Sequence, residues 1–244
     1  AAQLGMKAAV IEANHLGGIC LNWGCIPSKA LLRNAEVLSL FNEAERYGIE
    51  VSDISADFGK AIDRSREVVD RLTKGVAYLL KKNKVDVISG TGALIDPGTV
   101  RVEGESPQTL TAKNIMIATG ARQRGLPNLP IDGKIVITSR QALERREAPE
   151  RVVIVGGGAT GAEFGYLYNS YGSEVTIVEL MPRMVPLEDE DVGNQLSRSF
   201  KKMGVKVMTD SQVLGITTES GVAKVSVSKG GNESVIECDR GLVA

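Results

Sequence analysis

Residues 151–179 read RVVIVGGGATGAEFGYLYNSYGSEVTIVE, and the fold turns on what three of these glycines do. The apolar run Val152–Val155 predicts a buried strand, and the residues from Thr160 to Tyr171 predict a helix. Between them Gly156, Gly158 and Gly161 stand in the spacing G-x-G-x-x-G. In a strand–turn–helix context each glycine has a separate task. Gly156 allows the tight turn, Gly158 lets the backbone approach a pyrophosphate, and Gly161 lets helix and strand pack closely. A phosphate there would meet the N-terminus of the helix, where unpaired N–H groups and the helix dipole favour negative charge. A glycine-rich turn without a ligand is the bland alternative.

The next strand, EVTIVE, ends at Glu179, eighteen residues past Gly161. An acid at that place accepts hydrogen bonds from a ribose 2′-hydroxyl and repels a 2′-phosphate, so the nucleotide expected is NAD rather than NADP. A helix from Asp189 to Met203 and a strand VKVMT follow, completing a βαβαβ half of a nucleotide-binding fold. A further strand is read in RGLVA.

Upstream the pattern differs. The opening AAQLGMKAAVIEA reads as the last turn of a helix, a stop at Gly5 and a strand from Lys7 to Glu12. A helix from Pro27 to Arg46 is expected to bury Ala30, Leu31, Ala35, Leu38 and Phe41. A second, from Asp57 to Asn83, has Asp57 as cap and an apolar stripe of Phe58, Ile62, Val68, Val69, Leu72, Val76 and Leu79. VDVISG, TVRVEGE and TLTAKNIMIATG, with a turn at Pro97-Gly98, suggest a short antiparallel meander that ends in a buried strand. ARQRGLPNLPIDG reads as a connector. A boundary near Glu147 divides the chain into residues 1–146 and 147–244. The fold class expected is α/β, with two nucleotide-binding domains.

Composition excludes several classes of function. Twenty-nine Lys and Arg against 30 Asp and Glu give a net charge of −1, without a basic block to track nucleic acid. No apolar run approaches the roughly 18 residues that span a bilayer, so no membrane segment is expected. Three cysteines in 244 residues do not make the disulfide framework of a small secreted domain.

Two of those cysteines, Cys20 and Cys25, share one glycine-flanked turn in GGICLNWGCIPSKALL, residues 17–32. A metal site would need further ligands at finger-like spacing, and His15 stands alone, so no metal is expected. Two inert buried thiols are a second reading. The third is redox chemistry. On a regular helix residues five apart differ by about 140° and about 7.5 Å along the axis, too far for a disulfide. Gly24 and the pair Gly17-Gly18 would permit a distorted turn that brings the sulfurs together. Cys25 would then open the helix of Pro27, where the dipole stabilises a thiolate.

GGICLNWGCIPSKALL resembles the redox-active segment of the pyridine nucleotide-disulfide oxidoreductases, flavoenzymes that pass electrons between a nicotinamide, FAD and a cysteine pair. The likeness extends along the chain through VIEANHLGGIC (10–20), IMIATGA (115–121), VVIVGGGATGAEFG (152–165) and VTIVELMPRMVP (175–186). It is strongest to the branch that oxidises protein-bound dihydrolipoamide with NAD+ as acceptor. Glutathione reductases typically carry Lys at the place of Ser28 and basic residues at the place of Glu179, and mercuric reductases usually prefer NADPH. Ile19 and Trp23 stand where the family more often has Thr and Val, which touches local packing only.

The resemblance implies a role for each matching residue. Cys20 would exchange with the lipoyl group and Cys25 would face the flavin. Glu12, an acid ending a strand as Glu179 does, would hold the FAD ribose. Gly18, Gly92, Thr119 and Gly120 would contact FAD, and Val213 the adenine of NAD. Lys29 would lie near the flavin ring, paired with Glu163; read alone, each is a solvated helix charge. His15 has no matching role and reads as a surface or packing residue. Implied partners are the lipoyl domain of a 2-oxo acid dehydrogenase complex or of the glycine cleavage system, and a second copy in a homodimer. The cytoplasm is the implied location, or the mitochondrial matrix in a eukaryote. In the family a first glycine motif precedes the matching region, and an interface domain with an acid-base His follows it. Both domains are therefore expected to be incomplete here, and the chain alone to be colourless and inactive. Another disulfide or mercuric reductase, or a nucleotide-binding module without turnover, are the competing readings.

Overall fold

The computed structural model describes all 244 residues. They form two compact units, Ala1–Ile26 with Glu67–Arg122, and Pro27–Arg66 with Gln123–Ala244.

In the first unit a 3-10 turn, Ala2–Leu4, stops at Gly5, whose φ of 80° is left-handed, and leads to strand β1, Ala9–Glu12. Helix α1 spans Gly18–Trp23 and helix α2 starts at Cys25 and runs to Asn42. Helix α3, Phe58–Lys82, contributes its residues from Glu67 onward. Strand β2, Asp86–Ser89, pairs with β1 in parallel, Glu12 opposite Ser89. Strands β3 (Thr91–Asp96), β4 (Thr99–Glu103) and β5 (Gln108–Thr111) form an antiparallel sheet.

Two expectations are corrected here. VDVIS does not enter the meander, whose first strand is TGALID; VDVIS pairs instead with β1 in parallel. Residues 114–120 form no strand. Met116 is 91% and Ile117 73% exposed, because no strand of the chain lies beside them to pair their backbone or cover their side chains. The stripe on α3 is likewise buried only in its first half. Phe58, Ala61, Ile62, Ser65 and Val69 are covered, whereas Leu72 and Leu79 are exposed. Leu31 and Ala35 of α2 are fully buried, but Phe41 is half exposed.

The second unit takes α2 from Pro27 and α3 up to Arg66. A 3-10 turn, Ala44–Tyr47, follows α2. The Asp57 carboxylate accepts the Lys60 N–H at 3.0 Å and so caps α3, as its position suggested. Then follow β6 (Val136–Thr138), α4 (Ser139–Ala142), β7 (Arg151–Val155), α5 (Ala159–Ser170), β8 (Glu174–Val178), α6 (Glu190–Lys202) and β9 (Lys206–Met208). Asp189 caps α6 by accepting the Asp191 N–H at 3.0 Å. β10 (Ser211–Glu219), β11 (Val222–Lys229) and β12 (Asn232–Cys238) make an antiparallel meander, and β13 (Arg240–Val243) returns to the main sheet.

That sheet is parallel throughout, in the order β6-β13-β7-β8-β9. Period-two alternation divides its side chains between two faces. Ile154 and Ile177 meet α5 at Gly161 and Gly165. Val136, Val153, Val178 and Val243 join Val213, Ile216, Ala223, Val225 and Val227 of the meander in one core cluster. Burial on both faces is why these strands read as continuous apolar runs. No helix is long and apolar enough to cross a membrane.

Candidate functional site

Cys20 lies on α1, Cys25 is the first residue of α2, and the two are joined as a disulfide with their Cα atoms 4.8 Å apart. Five residues of continuous helix would separate them by about 7.5 Å along the axis alone, so the helix must break between them. It breaks at Gly24, whose φ of −136° and ψ of −119° are far from helical. A Cβ there would stand 3.0 Å from Cys20 Cα and from the Ile19 carbonyl oxygen. Any larger residue would need these neighbours in α1 to give way by a few tenths of an ångström. Upstream, Gly17 and Gly18 have φ of 98° and 68°, the left-handed conformations that reverse the chain into α1. Both cysteines are exposed.

Sequence reading missed the residue that secures this turn. Asn22 is 5% exposed and its Nδ2 donates to the Leu16 carbonyl at 3.0 Å and to the Gly18 carbonyl at 2.9 Å. The available signal was a polar residue set between Leu21 and Trp23, where an apolar neighbour would continue the buried face. His15 is exposed, and its ring meets Trp23 edge-on at 4.9 Å, a packing contact as expected.

In the second unit the glycine turn lies at the carboxyl end of β7, the end at which open α/β sheets bind ligands. Gly156 has φ of 110°, and a Cβ there would meet the Ala244 carbonyl oxygen at 2.8 Å. A Cβ on Gly161 would collide with the Gly156 carbonyl oxygen. Gly158, which caps α5, differs from both: nothing lies within 4 Å of its absent Cβ. Two glycines are thus required by the protein's own packing and the third leaves open space at a helix N-terminus, which fits a pyrophosphate.

Glu179 follows β8 and is 7% exposed. Its Oε2 accepts the Gly157 N–H at 2.6 Å and its Oε1 the Met181 N–H at 2.7 Å. The carbonyl of Gly157 in turn accepts the Val185 N–H at 2.8 Å. Gly157, passed over as a spacer in the motif, is therefore fixed at both its polar groups. A Cβ on it would stand 2.8 Å from Met184 Sδ and 3.0 Å from Glu179 Cβ. A carboxylate with two lone-pair sites per oxygen keeps acceptor capacity for ribose hydroxyls after two N–H groups are bound.

The structure brings Lys29 and Glu163 together, with Nζ 2.5 Å from Oε1 and side chains 62% and 26% exposed. Glu12 ends β1 and accepts the Asn14 N–H at 2.8 Å. Gly92 lies within β3, where a Cβ would stand 3.3 Å from Val100 Cγ1 and 3.5 Å from Ile11 Cδ1. Thr119 and Gly120 are exposed in the irregular segment, Gly120 at φ of 73°. Val213 turns its side chain into the core, and its carbonyl accepts from Asn128 Nδ2 at 3.2 Å.

The sequence profile of the pyridine nucleotide-disulphide oxidoreductases matches residues 1–244. The dihydrolipoyl dehydrogenase of Chlorobaculum tepidum is 45% identical over 247 residues, covering all of this chain and 53% of that protein. The dihydrolipoyl dehydrogenase of Bacillus subtilis is 41% identical over 256 residues, again all of this chain and 54% of that protein. Among solved structures, LpdA of Mycobacterium tuberculosis superposes with a TM-score of 0.89 at 26% identity, over 98% of this chain and 52% of that one. The HOCl-induced flavoprotein disulfide reductase RclA of Escherichia coli gives 0.81 at 29% identity, over 100% and 52%. The chain thus spans about half the length of the curated relatives it matches.

Proposed function

The chain belongs to the pyridine nucleotide-disulphide oxidoreductase family, and from that premise we propose that it serves the oxidation of protein-bound dihydrolipoamide by NAD+ through the Cys20–Cys25 disulfide. The observation that carries the reading is the disulfide itself, exposed and closed across a helix break, with Cys25 at the start of an 18-residue helix. Relatives named dihydrolipoyl dehydrogenase supply the substrate class.

The exchange chemistry follows from the position of the two sulfurs. A dihydrolipoyl thiolate attacks Cys20 Sγ, the Cys20–Cys25 bond breaks, and Cys25 leaves as thiolate. The start of α2 favours that anion, and a better-stabilised leaving thiolate leaves faster. The second lipoyl thiolate then attacks the lipoyl sulfur of the mixed disulfide and expels Cys20. The lipoyl group has lost two electrons and its two thiol protons, and the cysteine pair holds the two electrons. FAD, bound there, would supply the two-electron relay between the cysteine pair and NAD+.

The remaining residues bind and orient. Gly158 and the N-terminus of α5 would hold the NAD pyrophosphate, with Gly156 and Gly161 shaping the turn. Glu179 would accept from the adenosine ribose and disfavour NADP, and the backbone at Val213 would meet adenine. Glu12 would take the FAD ribose, with Gly18, Gly92, Thr119 and Gly120 along the same cofactor. Lys29 would stand near the flavin, its charge balanced by Glu163. The nucleotide-binding units would be residues 1–146 for FAD and 147–244 for NAD. The partners proposed are a lipoyl domain and a second copy of the chain, in the cytoplasm or the mitochondrial matrix.

The test is direct. Dihydrolipoamide added to the protein should open the disulfide and leave two alkylatable thiols, counted by mass. NAD should titrate with higher affinity than NADP. If dihydrolipoamide leaves the disulfide intact while a phosphine reductant opens it, the substrate assignment is wrong.

A further inference from the structure

A six-residue helix has no stability of its own, since helices shorter than about 12 residues are marginal in water. Yet α1 must hold Cys20 in one orientation, both when the disulfide is closed and when it is open and has to close again. With the covalent bond broken, something else has to keep α1 from drifting. Gly17 and Gly18 do the opposite, because glycines widen the range of conformations open to the turn.

Asn22 opposes that freedom. It is the buried polar side chain of α1, and both amide hydrogens are spent on main-chain carbonyls. The bond to Leu16 reaches outside the helix to the loop before Gly17, so it ties α1 across the two left-handed glycines. The bond to Gly18 holds the first carbonyl of the helix itself. Neither bond involves sulfur, so neither is lost on reduction. Cys20 and Asn22 are two residues apart on one short helix; fixing one fixes the other.

We propose that Asn22 is the positioning residue of the cysteine pair: its amide clamp on Leu16 and Gly18 keeps Cys20 beside Cys25 in the dithiol state and so sets the dithiol–disulfide equilibrium. This rests on the reading of Cys20–Cys25 as a redox pair. Its physical content is prepaid ordering. Ring closure removes conformational freedom from the open dithiol, and a clamp that has already removed it raises the effective concentration of one thiol at the other. Without the clamp the open form gains freedom that the closed form cannot share, and the disulfide becomes easier to reduce.

The equilibrium to measure is that of the 244-residue chain with glutathione. The protein dithiol and one glutathione disulfide give the protein disulfide and two glutathione thiols. Two electrons and two protons pass from the cysteine pair to glutathione. Free protein thiols are trapped by alkylation in the native state and counted by mass, with buried Cys238 as an internal control. Asn22→Leu keeps the branched shape and removes both donors; it is expected to lower the equilibrium constant about tenfold, which for a two-electron couple is about 30 mV. Asn22→Asp, an acceptor when ionised, should show the same loss at neutral pH and recover part of it in acid, where a protonated carboxyl donates once. A residue that only added stability would lower the melting temperature and leave both the constant and its pH profile unchanged.

A third measurement needs no variant. In the wild-type chain the Asn22 side-chain amide protons should exchange slowly with solvent before and after reduction. If they exchange as fast as those of an exposed asparagine once the pair is reduced, the clamp does not persist and the proposal fails. Folded Leu and Asp variants with the wild-type equilibrium constant would also overturn it, while leaving the redox reading of the pair intact. A wild-type pair that never equilibrates with glutathione would remove the redox reading and the positioning role together.

Discussion

Glu12 and Glu179 occupy the same place in two similar sequences, an acid after a run of β-formers, and the structure treats them differently. Strand β8 runs between β7 and β9, and Glu179 beyond it is buried with two backbone N–H groups on its carboxylate. Strand β1 has only β2 beside it, and Glu12 accepts a single N–H from Asn14. The second unit therefore covers its strand-end acid with its own atoms, whereas the first leaves the corresponding acid more open. The comparison separates what a strand-then-acid pattern encodes, which is the end of a strand, from what it does not, which is the cover.

The glycine turn of the second unit gives the largest effects with which to sharpen that contrast. Gly161→Ala forces a methyl group against the Gly156 carbonyl and should cost about 3 kcal/mol or more, by strain in a packed site. Gly158→Ala adds the same methyl group in open space at φ of −71° and should cost no more than about 1 kcal/mol. It should nonetheless weaken NAD binding about tenfold or more, since the methyl would stand where the pyrophosphate is proposed to approach. Denaturant melts and NAD titrations of the two variants provide the check. A Gly158→Ala protein with unchanged NAD affinity would remove the pyrophosphate from that turn.

Next in size are the two acids themselves. Glu179→Gln puts an NH2 group where an N–H needs an acceptor, and a buried donor left unpaired costs about 1–3 kcal/mol. Glu12→Gln should stay within about 0.5 kcal/mol, as a substitution at the surface does. Chemical denaturation of both proteins measures the difference, and equal small losses would show that the bonds from Gly157 and Met181 do not stabilise the loop.

The same contrast marks how far the sequence was legible. The cap at Asp57, the helix of α6 behind Asp189, and the strand–glycine–helix order at Gly156 are local patterns, and the structure has each within a residue or two of its reading. The segment IMIATG failed because an apolar run predicts a strand only if another strand is there to pair it. The reading of β7 to β9 left the meander of β10–β12 unassigned, although Ala223, Val225 and Val227 alternate with polar Lys224, Ser226 and Ser228. That alternation was visible; which sheet face it covers was not, because Val153 and Val178 lie about fifty to seventy residues earlier in the chain. Asn22 and Gly157 were missed for another reason. Each matters through hydrogen bonds to neighbours whose approach depends on left-handed glycines or on a distant strand end.

A third carboxylate uses the device of Glu179 at an exposed place, and it should give the smallest effect. Asp132 Oδ1 accepts the N–H groups of Lys134, Ile135 and Val136 at 2.7, 2.8 and 3.0 Å, bending the chain into β6. Desolvation pushes its pKa up, but the three N–H bonds and the Arg145 charge outweigh it and hold the carboxyl below the usual carboxylate range. A carboxyl with a lowered folded pKa contributes stability that is complete above its unfolded value of about 3.9 and is lost as pH falls through the folded value. The window therefore lies on the acid side, below about pH 4. Asp132→Asn keeps one acceptor oxygen and removes the titration. Because the site is open to solvent, the loss at neutral pH should be about 1 kcal/mol or less, and the difference between variant and wild type should vanish in acid. Denaturant midpoints measured from pH 7 down to pH 2.5 decide it: a difference that stays constant as the pH falls would mean that the bonds to Asp132 do not depend on its charge.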